Sequence, residues 1–178
     1  MSDTARDYAV RVDQFLFRDD GRIPNNRDLP LLVYRGVLDL RGKDPAAGCE
    51  RLFARNGWTG AWRDGIYPYD HFHAMRHEVL GIVRGHARVR FGGEAGLMVE
   101  LDAGDVVAIP AGVGHRNLGA SPDLLVVGAY PDGGEPDICT GTAREHAHAL
   151  DSVPNVPAPD RDPVFGDAGP LVERWRID

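Results

Sequence analysis

Apolar residues in the middle of the chain fall into short runs of two kinds, punctuated by glycine and proline. His86 to Phe91 alternates, with Ala87, Val89 and Phe91 on one face and His86, Arg88 and Arg90 on the other, which predicts a half-buried strand. Gly92-Gly93 turns that strand and Leu97 to Leu101 returns. Val79 to Val83, Val106 to Ile109 and Leu124 to Tyr130 are continuous apolar runs, which predict strands of the core. Upstream, Phe15-Leu16-Phe17 and Leu29 to Leu38 read as strands around the turn-rich Asp19-Asp20-Gly21 and Ile23-Pro24-Asn25-Asn26.

Helical signals are confined to the flanks. Asp44 can cap a helix that starts at Pro45, buries Cys49, Leu52 and Phe53 on one face, and ends at a left-handed Gly57. Trp58 and Trp62 follow and are expected to shield the core. Thr142 and Glu145 form a capping box for a second helix from Thr142 to Leu150, on which His146 and His148 diverge toward the surface. Val153 to Pro170 is rich in proline and aspartate and predicts an extended tail, with Leu171, Val172 and Trp175 docking its end.

The 178 residues, 43% hydrophobic with 22 Gly and 13 Pro, fit a single turn-rich all-β domain with one or two short peripheral helices. Within it, residues about 60–131 form the core, 10–59 supply strands and a helix, and 142–178 a helix and docked tail. A formal charge of −7 offers no basic face for nucleic acid or anionic lipid. The polar start, Met1 to Asp7, and the lack of a bilayer-length apolar run make a cytoplasmic protein the expectation. Cys49 and Cys139 lack CxxC spacing, so free thiols are expected, with a single long-range disulfide as the alternative.

Chemistry concentrates in two stretches. The first reads Gly65, five residues, His71-Phe72-His73, four residues, Glu78, six residues, Gly85; the second reads Gly104, five residues, Pro110-Ala111-Gly112, two residues, His115. Strand alternation puts His71 and His73 on one face and Phe72 on the other. Glu78 follows a short turn through Ala74 and Met75, and a hairpin is expected to lay Val79 to Val83 beside the first strand. The bend Pro110 to Gly114 aims His115 inward. Three imidazoles and one carboxylate suit one divalent Fe, Mn, Ni, Cu or Zn ion rather than Ca or Mg. Four protein ligands on an ion that takes six leave two positions for water, substrate or dioxygen.

This paired pattern resembles the signature of the cupin superfamily, which implies a double-stranded β-helix, or jelly-roll barrel, with the metal in its mouth. The second cupin motif often carries an asparagine where this chain has Gly119, a departure that bears on pocket shape, because that asparagine is not a metal ligand. The chain more narrowly resembles the YjlB-like group of uncharacterised bacterial cupins through Asp20-Gly21-Arg22-Ile23-Pro24-Asn25, Phe53-Ala54-Arg55-Asn56-Gly57-Trp58, His77-Glu78-Val79-Leu80-Gly81, Val126-Val127-Gly128-Ala129-Tyr130-Pro131 and Asp162-Pro163-Val164-Phe165-Gly166. The resemblance implies a barrel that often pairs as a homodimer, and it implies no reaction.

Two residues near the quartet are candidates for catalysis. Tyr69 shares the parity of Tyr67, His71 and His73 in an unbroken strand, and reads either as a donor to substrate or as a core tyrosine. His77 reads either as a proton carrier at the rim or as an outer-face residue. The expected function is a metal-dependent oxygenase on a small polar molecule. The alternatives are a redox-neutral isomerase or epimerase, and a non-catalytic ligand-binding module.

Overall fold

The computed structural model describes residues 10–176, so the reading of Met1 to Asp7 and the last two residues of the tail lie outside the described residues. Among the described residues, nine strands form two antiparallel sheets. In chain order they are β1 (Val12–Phe15), β2 (Leu31–Tyr34), β3 (Trp58–Asp64), β4 (Glu78–Arg84), β5 (His86–Phe91), β6 (Leu97–Asp102), β7 (Val106–Ile109), β8 (His115–Ala120) and β9 (Leu125–Pro131). The larger sheet runs β1-β2-β7-β4-β9-β3 and the smaller β6-β5-β8.

The inner faces meet in one apolar core, in which Leu80 and Ile82 of β4, Val107 and Ile109 of β7 and Val126 of β9 face Ala87, Val89 and Phe91 of β5 and Leu101 of β6. A second apolar layer lies on the outer face of the larger sheet. There Val79, Val106, Ala108, Val127 and Ala129 pack against Cys49 and Phe53 of α1 (Pro45–Arg55) and against Trp58, Leu171 and Trp175. Burial on both faces explains the continuous apolar runs, while the open outer face of the smaller sheet explains the alternation in β5.

Local signals set the helix ends. The Asp44 carboxylate accepts from the Ala47 N–H at 3.1 Å, Pro45 opens α1, and Gly57, at φ 83°, turns the chain out of it. Helix α2 (Ala143–Ser152) begins with the full Thr142–Glu145 capping box. His146 bonds Asp19 at 2.8 Å and His148 is exposed. Cys49 and Cys139 are free thiols.

Several expectations need correction. The first strand starts earlier than Phe15, and Leu29 to Leu38 yields strand only at Leu31–Tyr34. Gly36, at φ 61°, breaks the strand, and its N–H goes to the Asp105 carboxylate. The tail is less extended than expected. It contains a 3₁₀ turn at Val153–Asn155 and a third helix, α3 (Pro170–Arg174), and it docks through Leu171 and Trp175, whose indole N–H donates to the Pro30 carbonyl at 2.8 Å. The hairpin between His71–His73 and Val79–Val83 does not form. Strand β4 is already bonded on one edge to β7 and on the other to β9, which leaves no free edge.

Candidate metal centre

Glu78 opens β4 in the larger sheet and His115 opens β8 in the smaller one. His71 and His73 come from the segment between β3 and β4. His71 exchanges backbone hydrogen bonds with His115, at 3.2 and 2.9 Å, and Phe72 does the same with Cys139, at 2.9 Å both ways. This extended stretch keeps the predicted alternation. Phe72 drops into an apolar cluster with Ile23, Ala74, Ala149 and Val153, and both histidines line a cavity on the other side.

The structure brings the four predicted side chains together. One ring nitrogen from each of His71, His73 and His115 lies within 4.8 Å of the others. Glu78 Oε2 lies 3.1 Å from His73 Nε2 and 3.3 Å from His115 Nε2. All four residues are buried.

The other ring nitrogens explain the orientation. His71 Nδ1 faces the Tyr69 carbonyl at 3.1 Å, His115 Nδ1 faces the Val113 carbonyl at 3.2 Å, and His73 Nδ1 faces the Asp137 carbonyl. A carbonyl oxygen can only accept, so each neutral ring carries its proton on Nδ1 and presents the Nε2 lone pair. For His73 and His115 that lone pair meets a carboxylate oxygen. At 3.1–3.3 Å a proton on the ring nitrogen bridges such a pair, in keeping with the raised His73 pKa, and with that proton displaced these nitrogen and oxygen donors fit a divalent transition ion.

Charge within the cluster follows the same logic. Burial, with His115 alongside, pushes the His71 pKa down to about 3, which keeps that ring neutral. Burial also works against charge on His73, but the Glu78 carboxylate outweighs it and raises the pKa. For Glu78, burial favours the neutral acid, yet His73 and His115 hold its pKa below the usual carboxylate range. Asp137 secures His73 further, since its carboxylate accepts from the Ala74 and Met75 N–H groups at 2.8 and 3.1 Å.

The cavity holds about 510 Å³, with the quartet and Tyr130 among its buried lining and Tyr67 and Ile138 exposed at its mouth. Tyr69 is not among the lining residues. No unbroken strand runs from Tyr67 to His73, and the Tyr69 ring stacks on Tyr67 at 5.0 Å and is 42% exposed. His77 is buried elsewhere, on the outer side of β4. Its Nδ1 accepts from the Ala111 N–H at 2.8 Å, its ring packs 4.8 Å from Trp175, and burial lowers its pKa to about 4.

Sequence reasoning overlooked Tyr130 and Asp137. Counting by twos from the inward-facing Val126 would have put Tyr130 in the cavity; Asp137, in a Gly/Pro-rich loop, carries no such signal.

No family model matches the chain. The uncharacterised protein YjlB of Bacillus subtilis is 44% identical over 161 residues, covering 90% of this chain and 94% of its own. Among solved structures, acireductone dioxygenase from Bacillus anthracis, with cadmium in its active centre, is 20% identical over 52% of this chain and 63% of its own, at a TM-score of 0.37. Procruciferin, an 11S globulin from Brassica napus, is 14% identical over 74% of this chain and 27% of its own, also at 0.37. Bacillus subtilis oxalate decarboxylase is 17% identical over 64% of this chain and 24% of its own, at 0.34. The chain thus spans less than two thirds of each of these solved chains. Identity of 44% across nearly the full length of both sequences, carried on two antiparallel sheets that bring the histidine–glutamate pattern together, means that this chain belongs to the same family as YjlB.

Proposed function

We propose that this protein is a metal-dependent oxygenase, in which His71, His73, Glu78 and His115 hold one divalent Fe, Mn, Ni, Zn or Cu ion in the barrel mouth. The observation that carries this reading is the cluster of three buried imidazoles, His71, His73 and His115, with the Glu78 carboxylate against two of them, His73 and His115. When bound, such an ion supplies a Lewis-acid centre with positions open to substrate and dioxygen. The Nδ1 contacts to backbone carbonyls hold the rings in a single tautomer. Ile66, Leu80 and Tyr130 give the cavity an apolar, aromatic surface for the small molecule.

An isomerase needs a base beside the ion, and the lining offers a poor one. His77 lies elsewhere, Tyr69 sits edge-on to His71 but is exposed and outside the lining, Arg63 and Asp64 are exposed, and burial followed by the nearby Glu78 raises the Tyr130 pKa, which keeps its phenol protonated. That absence favours chemistry in which dioxygen does the work. A cytoplasmic location, a homodimeric assembly and a small molecule as the partner belong to the same proposal.

Metal analysis of protein from its own host, then anaerobic reconstitution with Fe(II) and an oxygen-uptake screen against catechols, thiols and diketones, tests the reading. Uptake with altered product is expected. Firmly bound iron with no uptake on any of them would count against an oxygenase, and ligand retained without product would leave a binding module. His73→Ala and His115→Ala should each lose most of the metal while keeping the barrel; stoichiometric metal in both would overturn the ligand assignment.

A further inference from the structure

Tyr130 and Glu78 stand opposite each other on neighbouring strands. The β4–β9 register pairs Val79 with Ala129 and Leu80 with Gly128, so the next step of the ladder sets Glu78 beside Tyr130 on the inner face. Strand β3 lies on the other side of β9 and pairs Trp62 with Gly128. Gly128 makes room for the Trp62 indole, since a Cβ at that position would come 2.1 Å from the ring. The indole can therefore lie across β9, and its Nε1–H reaches the Tyr130 hydroxyl at 2.8 Å.

That contact has a direction. An indole nitrogen only donates, so the Tyr130 oxygen accepts and its own proton is free to go elsewhere. The ladder sets the Glu78 side chain at the facing position of β4. An ionised carboxylate only accepts, so a hydrogen bond between the two runs from the phenol to Glu78.

Resting on the metal-centre reading above, we propose that Tyr130 is a positioning residue for Glu78, itself seated by Trp62, and that the chain Trp62 to Tyr130 to Glu78 fixes the carboxylate as a metal ligand. The charge-assisted bond limits rotation of the carboxylate and withdraws electron density from it, so it sets both the geometry and the donor strength of the one anionic ligand. Trp62 and Tyr130 also line the cavity, so the molecule bound there touches the same two side chains that orient Glu78.

Co(II) is a suitable probe, with affinity measured by chelator competition at fixed pH and coordination by the visible d–d spectrum. Tyr130→Phe keeps the ring and removes the proton; it should bind Co(II) about 10–100-fold more weakly, with an altered spectrum at saturation. Trp62→Phe should cost less, and nothing further in the Tyr130→Phe background, because it acts through that hydroxyl. Near-UV circular dichroism and the urea midpoint report folding, and Tyr130→Phe alone decides the matter if Trp62→Phe does not fold. Binding within about twofold of the parent with an unchanged spectrum, or additive losses in the double variant, would overturn the proposal. A Glu78→Gln control separates the two readings. Weak binding there with intact binding in Tyr130→Phe defeats the relay alone, whereas no Co(II) binding by the parent protein defeats the metal centre and the relay with it.

Discussion

The two sheets share an inner core but differ in what covers their outer sides. The larger sheet is sandwiched, with Val79, Val106 and Val127 under α1 and the docked tail, whereas the outer face of the smaller sheet presents Arg88, Met98 and Glu100 to solvent. The candidate centre sits where the sheets meet, with Glu78 from the covered sheet and His115 from the open one. One half of the site is therefore backed by two packed layers and the other by one. Stability and site geometry should respond unequally to changes on the two sides.

The largest effect is expected in the covering layer. Phe53→Ala removes a fully buried ring from beneath α1 and should cost about 3–5 kcal/mol in urea unfolding. A loss under 1 kcal/mol would mean that the outer layer is dispensable. Leu101→Ala, on the inner face of the smaller sheet, should cost about 2–5 kcal/mol and show that the asymmetry is confined to the outer sides.

Asp162 pins the tail. Its buried carboxylate accepts from the Tyr34 hydroxyl at 2.7 Å and from the N–H groups of Val164, Phe165 and Leu171. Asp162→Ala leaves those donors unmatched and should cost about 1–3 kcal/mol, with earlier proteolysis of the tail. Gly81→Ala probes how tightly α1 lies on β4, because the added methyl would sit 2.5 Å from the Cys49 sulfur and 3.1 Å from Phe53. It should destabilise by about 1–3 kcal/mol, and neutrality would show that α1 can lift. Met98→Ala, on the open face, should change stability by less than about 0.5 kcal/mol. A larger loss would reveal that this face is covered in solution.

Much of this was readable in one dimension. The alternation in β5, the apolar runs of β4, β7 and β9, the Asp44 and Thr142 caps and the Gly57 stop depend on neighbours a few residues away. So does the shared face of His71 and His73. Pairing was not readable, because periodicity tells which way a side chain faces and is silent on which strand lies alongside. The His71–His73 segment lies against His115 and Cys139 instead of β4, and no residue in it announces this.

The histidines at 73 and 77 mark the boundary. Both are buried and four positions apart, yet one faces Glu78 and the other lies against Trp175. The amino-acid order by itself determined the all-β class, the central strands β4 to β7 and β9, the caps of α1 and α2 and the spacing of three histidines and a glutamate. Only the packing of the two sheets decided which imidazoles converge and how Trp62 reaches Tyr130 across Gly128, because those contacts join strands brought side by side by burial and sheet hydrogen bonding.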